Sequence, residues 1–234
     1  MMKTLIKKIR SKLLLLRLHP ISVFLFHQVS DVFEEDTMKP GDWTETEQFK
    51  HNVEAIGKTF VFVSLDQACS KMKKDRLRFC NYAVMTSDDG WASLKNVLPW
   101  LKKKNIPVTL FLNPAYFDGK HFRERATERY LLKADIDLIS KNYPNVTFGL
   151  HGWEHIKATK QTETDFRESV MKCLQVLQAY PNYVPYYAYT YGNYNQMNCR
   201  VLKEFGLIPV LIDGVKNVND FSCVHRELFD GLKL

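Results

Sequence analysis

The chain has 234 residues, 45% hydrophobic and 25% charged, with a formal net charge of +7. That length can bury a sizeable core, and the composition excludes a disordered or low-complexity chain. Lys3, Lys7, Lys8, Arg10, Lys12 and Arg17 stand among the first residues with no acid between them. Much of the excess charge is therefore local, and a nucleic-acid partner is not expected.

The first element in chain order is that basic stretch, MMKTLIKKIRSKLLLLRLHP. Its longest apolar run, Leu13 to Leu16, is too short for a signal-peptide core or a bilayer span. Leu5, Ile6, Ile9, Leu13 and Leu16 recur at helical spacing with cations between them, a stripe suited to core packing or to weak contact with an anionic membrane surface through residues 1–19. We divide the chain into this basic amphipathic segment, residues 1–20, and one domain, residues 21–234. The cysteines, Cys69, Cys80, Cys173, Cys199 and Cys223, are odd in number and form no CxxC pair. Reduced thiols in a cytoplasmic protein, peripheral at the inner membrane face, are the expectation.

From Ile21 onward strands and helices alternate. ISVFLFH (21–27) reads as a strand, followed by an irregular stretch to Trp43. TETEQFKHNVEAI (44–56) reads as a helix with a Thr cap, TFVFVSL (59–65) as a strand and DQACSKMKK (66–74) as a short helix. YAVMTS (82–87) is a strand that stops at Asp88 and Asp89. SLKNVLPWLKKKN (93–105) has helical periodicity but carries Pro99 in its middle, a local inconsistency. PVTLFLN (107–113) and NVTFGLH (145–151) are strands around the helix RYLLKADIDLISKN (129–142). TETDFRESVMKCLQVLQAY (162–180) is the clearest amphipathic helix, followed by YYAYTYG (186–192), the helix NQMNCRVLKEFG (195–206) and IPVLI (208–212). Such alternation with short connections predicts parallel strands and crossover helices in one α/β domain, either a barrel or an open sheet.

In parallel α/β folds chemistry collects at the C-terminal ends of strands. Those ends hold His27, Asp88 and Asp89, Asn113, His151, and the region of Tyr191 and Gly192. HGWEH places His151 and His155 four apart, a spacing that lets two imidazoles face one metal ion; an anionic third ligand could come from Asp88 or Asp89. The other aspartate is then free to take a proton from water as general base. A helix cap explains one of the two carboxylates but not both. His27 reads as a buried structural histidine, and Asp31 and Glu34 as loop charges.

These residues resemble the polysaccharide deacetylase family, the chitooligosaccharide-deacetylase or carbohydrate-esterase-4 type. Its first two motifs, TFDDG and H-(S/T)-x-x-H, stand here as TSDDG (86–90) and HGWEH (151–155). LFHQVSD (25–31), FVSLDQA (62–68), LKKKNIPVTLFLNP (101–114) and YAYTYGNYN (187–195) extend the likeness over residues 21–212. The resemblance implies a distorted (β/α)7 barrel, TIM-like and single-domain. It implies Asp88 as general base, Asp89, His151 and His155 as ligands of a divalent metal, commonly zinc, and a carbohydrate substrate bearing N-acetyl groups. Tyr191 is the candidate backbone donor to the oxyanion, and Tyr189, Gly192 and Trp153 are candidate substrate contacts.

The chain departs from the family pattern in four places. Ala188 replaces the arginine that holds the base in many members, Thr190 stands where proline is usual, and Gly152 replaces Ser or Thr. In place of a late Leu-x-His motif supplying the general acid there is only His225, in FSCVHREL; alternatively, Asp88 returns its proton. Two rival readings follow. HGWEH also fits the H-x-x-E-H zinc-peptidase pattern, with Glu154 as base, which requires a helix. A domain that binds carbohydrate without turning it over would also fit the altered third motif and the many tyrosines near it.

Overall fold

The computed structural model describes residues 21–33, 41–74, 81–119, 130–213, 222–230 and 232; the basic segment 1–20 lies outside them. Seven parallel strands close a barrel: β1 (Ile21–Phe26), β5 (Asn81–Ser87), β6 (Val108–Leu112), β7 (Val146–Leu150), β8 (Tyr183–Ala188), β9 (Ile208–Ile212) and β10 (Val224–Leu228). β10 bonds to β1, and β1 bonds to β5 along its whole length, from Ile21 opposite Tyr82 to Phe26 opposite Ser87. β2 (Gln28–Val29) and β3 (Trp43–Thr44) pair separately. β4 (Phe60–Phe62) stands outside the ring against the first half of β5, and β6 takes over beside its second half. This branching, with a register irregularity between β7 and β8, distorts the (β/α)7 barrel.

Two apolar layers hold the ring. Ile21, Val23, Val84, Phe111, Val184, Val210 and Val224 belong to one buried cluster inside it. A larger cluster lies between strands and helices, where Phe24, Phe26, Leu110 and Phe148 meet Phe49, Leu98, Phe166 and Val170. Strands buried on both faces become continuous apolar runs, which is why ISVFLF and VTLFL carry no polar alternation.

The helices are α1 (Thr46–Gly57), α2 (Leu65–Lys74), α3 (Leu98–Lys103), α4 (Lys133–Asn142), α5 (Glu163–Leu177) and α6 (Gln196–Glu204). Pro99 resolves the inconsistency in its segment. The chain forms a 3-10 turn at Ala92–Asn96 and restarts as α3, with the proline in the first turn, where no backbone donor is needed. The Thr162 hydroxyl caps α5 by accepting from the Asp165 N–H at 3.2 Å. One strand expectation is corrected. β8 begins at Tyr183 and ends at Ala188, so Tyr191 and Gly192 lie in the turn beyond it. β10 was not foreseen.

Candidate metal centre

β5 delivers Asp88 and Asp89 to the C-terminal mouth of the barrel. Asp89 (φ 70°) and Gly90 (φ 72°) adopt the left-handed conformation, which turns the chain sharply. A Cβ on Gly90 would meet Leu112 Cδ2 at 2.8 Å and be strained by the positive φ, so glycine is favoured there. The turn points the neighbouring carboxylates to different partners.

Asp89 faces the histidines. Its Oδ1 lies 2.9 Å from His155 Nε2 and 3.3 Å from His151 Nε2, and its Oδ2 accepts from Trp91 Nε1 at 3.1 Å. His151 Nδ1 lies 2.9 Å from the Ala188 carbonyl oxygen, which can only accept. That nitrogen is therefore the donor, and Nε2 is the atom turned toward Asp89. The buried Oδ1 has no donor in hydrogen-bonding geometry. The ligand atoms of Asp89, His151 and His155 lie within 4.8 Å of one another. One carboxylate with two imidazoles is a donor set that could hold a metal ion. Burial alone would raise the Asp89 pKa; His155, with His151, outweighs it and holds the carboxyl well below the usual range.

The loop carrying the histidines is fixed from three sides. Buried Asn113, at the end of β6, donates through Nδ2 to the carbonyls of His151 (2.6 Å) and Gly152 (3.0 Å). The Ser169 hydroxyl accepts from the Trp153 N–H at 2.9 Å, and the Thr190 hydroxyl donates to the Ile156 carbonyl at 2.6 Å. Gly152 has φ +83°, and a Cβ there would sit 3.2 Å from the Glu154 carbonyl oxygen and from the Tyr187 hydroxyl. Glycine in place of Ser or Thr thus suits this loop. HGWEH is not helical, so the zinc-peptidase reading is corrected. Glu154 lies outside the ligand group and lines a cleft of about 380 Å³ with Trp153, Lys160 and Lys172.

Asp88 faces the barrel interior. Both its oxygens accept from Arg226, Oδ1 from Nη1 at 2.7 Å and Oδ2 from Nη2 at 2.8 Å. Arg226 is fully buried; it also donates to Thr86 Oγ1 and the Leu211 carbonyl, and its guanidinium stands 5.3 Å from the Phe111 ring centroid. Burial raises the Asp88 pKa, but the Arg226 charge, with His151, wins and holds the carboxyl below its usual value. The position of Ala188 therefore does not leave Asp88 unpaired: β10 supplies the arginine.

His27, read as structural, ends β1 beside this pair. Its Nδ1 lies 2.8 Å from Asp230 Oδ2, whose Oδ1 accepts from the Thr44 hydroxyl at 3.0 Å. Burial works against the imidazolium, but the bond to Asp230 and the charges of Asp230, Asp89 and Asp88 raise its pKa to about 9.

The other expected site residues divide. Tyr191 is half exposed, adopts φ 57°, and sets its ring 4.4 Å from that of His155. Gly192 follows it with φ +64°. Trp153 is partly buried at the cleft. Tyr189 is fully buried, with its hydroxyl toward Cys199 Sγ at 3.7 Å, and is core rather than a sugar contact; Tyr194, stacked on it, is the exposed ring. His225 is not brought to Asp88. It sits beside Arg226 in β10, where side chains alternate between faces, and pairs with Asp213 and Cys223 instead.

The sequence model described as polysaccharide deacetylase matches residues 79–210. No curated protein sequence matches the chain. Among solved structures, the deacetylase PplD of Streptococcus pyogenes, solved with acetate, superimposes with a TM-score of 0.72 at 15% identity, over 90% of this chain and 92% of that one. IcaB of Ammonifex degensii gives 0.71 at 19%, over 91% and 93%. A de-N-acetylase of Aggregatibacter actinomycetemcomitans gives 0.69 at 15%, over 92% and 97%.

Proposed function

We propose, because this chain belongs to the polysaccharide deacetylase family, that it is a metal-dependent hydrolase removing N-acetyl groups from a carbohydrate. The observation that carries the reading is the division of labour at 88–89: one carboxylate aimed at two imidazoles, its neighbour held ionised by a buried arginine.

Asp89, His151 and His155 would hold the ion, with zinc the expected metal. Bound there, a divalent cation supplies Lewis-acid polarisation of the acetamide carbonyl and lowers the pKa of water from about 15.7 toward about 7. Asp88 takes the proton of the attacking water as the carbon–oxygen bond forms. Arg226 positions Asp88 and keeps it anionic until that moment. The tetrahedral carbon carries an oxyanion, to which the backbone N–H of Tyr191 is the protein donor; its left-handed turn supports that role. As the carbon–nitrogen bond breaks, the amine needs a proton, and His27 is the donor we assign. It is protonated at neutral pH and oriented by Asp230 through Nδ1, which leaves Nε2 for the leaving group. Products are acetate and the free amino sugar.

The proposed substrate is a nucleotide-linked or lipid-linked sugar used in surface-polysaccharide synthesis, met at the cytoplasmic membrane face through basic residues 1–19. Cell fractionation tests the location: a secreted mature protein would remove it. The activity is tested by metal content together with acetate release from N-acetylated oligosaccharides. About one equivalent of divalent metal, lost in His151→Ala and Asp89→Ala with the acetate release, is expected. An ion-free protein after reconstitution would sink the hydrolytic reading.

A further inference from the structure

A second cluster of chemistry-bearing side chains lies away from the metal centre, on the outward side of β10. His225 Nδ1 is 2.7 Å from Asp213 Oδ2, and His225 Nε2 is 3.3 Å from Cys223 Sγ. A carboxylate oxygen accepts, so Nδ1 is the donor in that pair, and Nε2 is the nitrogen turned toward the thiol. The imidazole meets its partners through opposite nitrogens, so the three groups cannot converge on one metal ion. What they form is a thiol, a base and an orienting acid in series, the arrangement that activates a sulfur nucleophile.

The other described cysteines lack this. Cys173 is buried, and burial pushes its thiol pKa up; Cys69 is buried against the Tyr186 hydroxyl at 3.0 Å. Cys199 is partly exposed but faces the Tyr189 hydroxyl. Among the described residues Cys223 alone joins partial exposure to an imidazole partner; Cys80 lies outside them.

We propose that Cys223 is a reactive thiol, a modification site that forms mixed disulfides with low-molecular-weight disulfides. His225 Nε2 takes the thiol proton, and the Cys223 sulfur attacks one sulfur of R–S–S–R. A new sulfur–sulfur bond forms as the old one breaks. The departing RS⁻ keeps the electron pair and receives the proton from the imidazolium. Cys223 is oxidised from thiol to disulfide, and one sulfur of the reagent is reduced to a thiol. The step uses none of the metal-centre residues.

The test exposes the reduced full chain to dithiobis(nitrobenzoate) near pH ~6.5, where an ordinary thiol of pKa about 8.5 is only about 1% ionised. Adduct formation at each cysteine is followed by peptide mass spectrometry. Cys223 should react about ten-fold or more faster than Cys199 in the same molecule. His225→Ala should slow it by about ten-fold and move its pH–rate profile to higher pH; Asp213→Asn should act in the same direction, less strongly. Should His225→Ala not fold, Asp213→Asn carries the comparison. A Cys223 rate no greater than that of Cys199, or a rate unchanged in a folded variant, overturns the proposal.

Discussion

The candidate metal centre is assembled from two regions that differ in how they are written. Residues 79–210, the stretch matching the family, supply Asp88, Asp89, His151 and His155 in two short motifs. The closing strands β1 and β10 lie outside that stretch. They and the turn after β10 supply His27, Arg226 and Asp230 as single residues, with Arg226 separated from its partner by 138 positions. The difference is physical. Ligands must converge on one point within a few ångströms, so two come from one tight loop and the spacing becomes a motif. A positioning cation needs only an inward-facing place on some strand that reaches the carboxylate. The ring offers several such places, so this role can move without leaving a pattern.

If both regions are needed for catalysis, removing either should disable the enzyme. Asp88→Asn should lower deacetylation by about 10²–10⁴-fold with metal content unchanged. His27→Ala should fall by a comparable factor although it lies outside the matched stretch; full activity in that variant would confine catalysis to the matched segment. Arg226→Leu should lower activity and also cost about 3–5 kcal/mol of stability in chemical denaturation, because Asp88 is left buried and unpaired. Asp88→Asn in the same chain should recover part of that stability.

A pH series sharpens the same comparison. The folded His27 pKa, about 9, lies above its ordinary 6.5. Its pairing with Asp230 therefore stabilises the fold fully below about pH 6.5, and that contribution is lost as pH rises through about 9. Denaturation of chelator-treated protein should show this decline, and Asp230→Asn should abolish it. Smaller effects belong to the supports of the matched region. Trp91→Phe, which removes the donor to Asp89 Oδ2, should weaken metal binding by about 10–100-fold in competition titrations with the fold retained. Gly152→Ala should cost about 1–2 kcal/mol for its left-handed backbone. Smallest of all, Glu154→Gln should change acetate release by less than about two-fold; a collapse of activity there would revive a peptidase-like role for that carboxylate.

The arginine that pairs with Asp88 stayed hidden for a specific reason. In FSCVHREL attention falls on His225, the residue type expected of an acid, yet its neighbour enters the site. Strand period two puts adjacent residues on opposite faces, so choosing the wrong parity exchanges inside for outside. The alternation was also masked, because one inward position of β10 is a charge rather than an apolar residue. His27 went unused since its partner, Asp230, is 203 residues away and joins it only when β10 docks on β1. The Gly152 departure fits the left-handed backbone of the loop that presents His151 and His155.

By itself the sequence determined the alternation of strands and helices, the places where polar residues end apolar runs, and the four residues of the two motifs. These depend on periodicity and short spacing, which a linear chain displays directly. Tertiary structure decided that the sheet closes into a barrel, that Asp88 is held by Arg226 from β10, and that Asp230 raises His27 beside the candidate metal ligands. It also turned His225 outward to Cys223. Each of these depends on which strands become neighbours and which face a side chain takes, and both are fixed only when the ring closes.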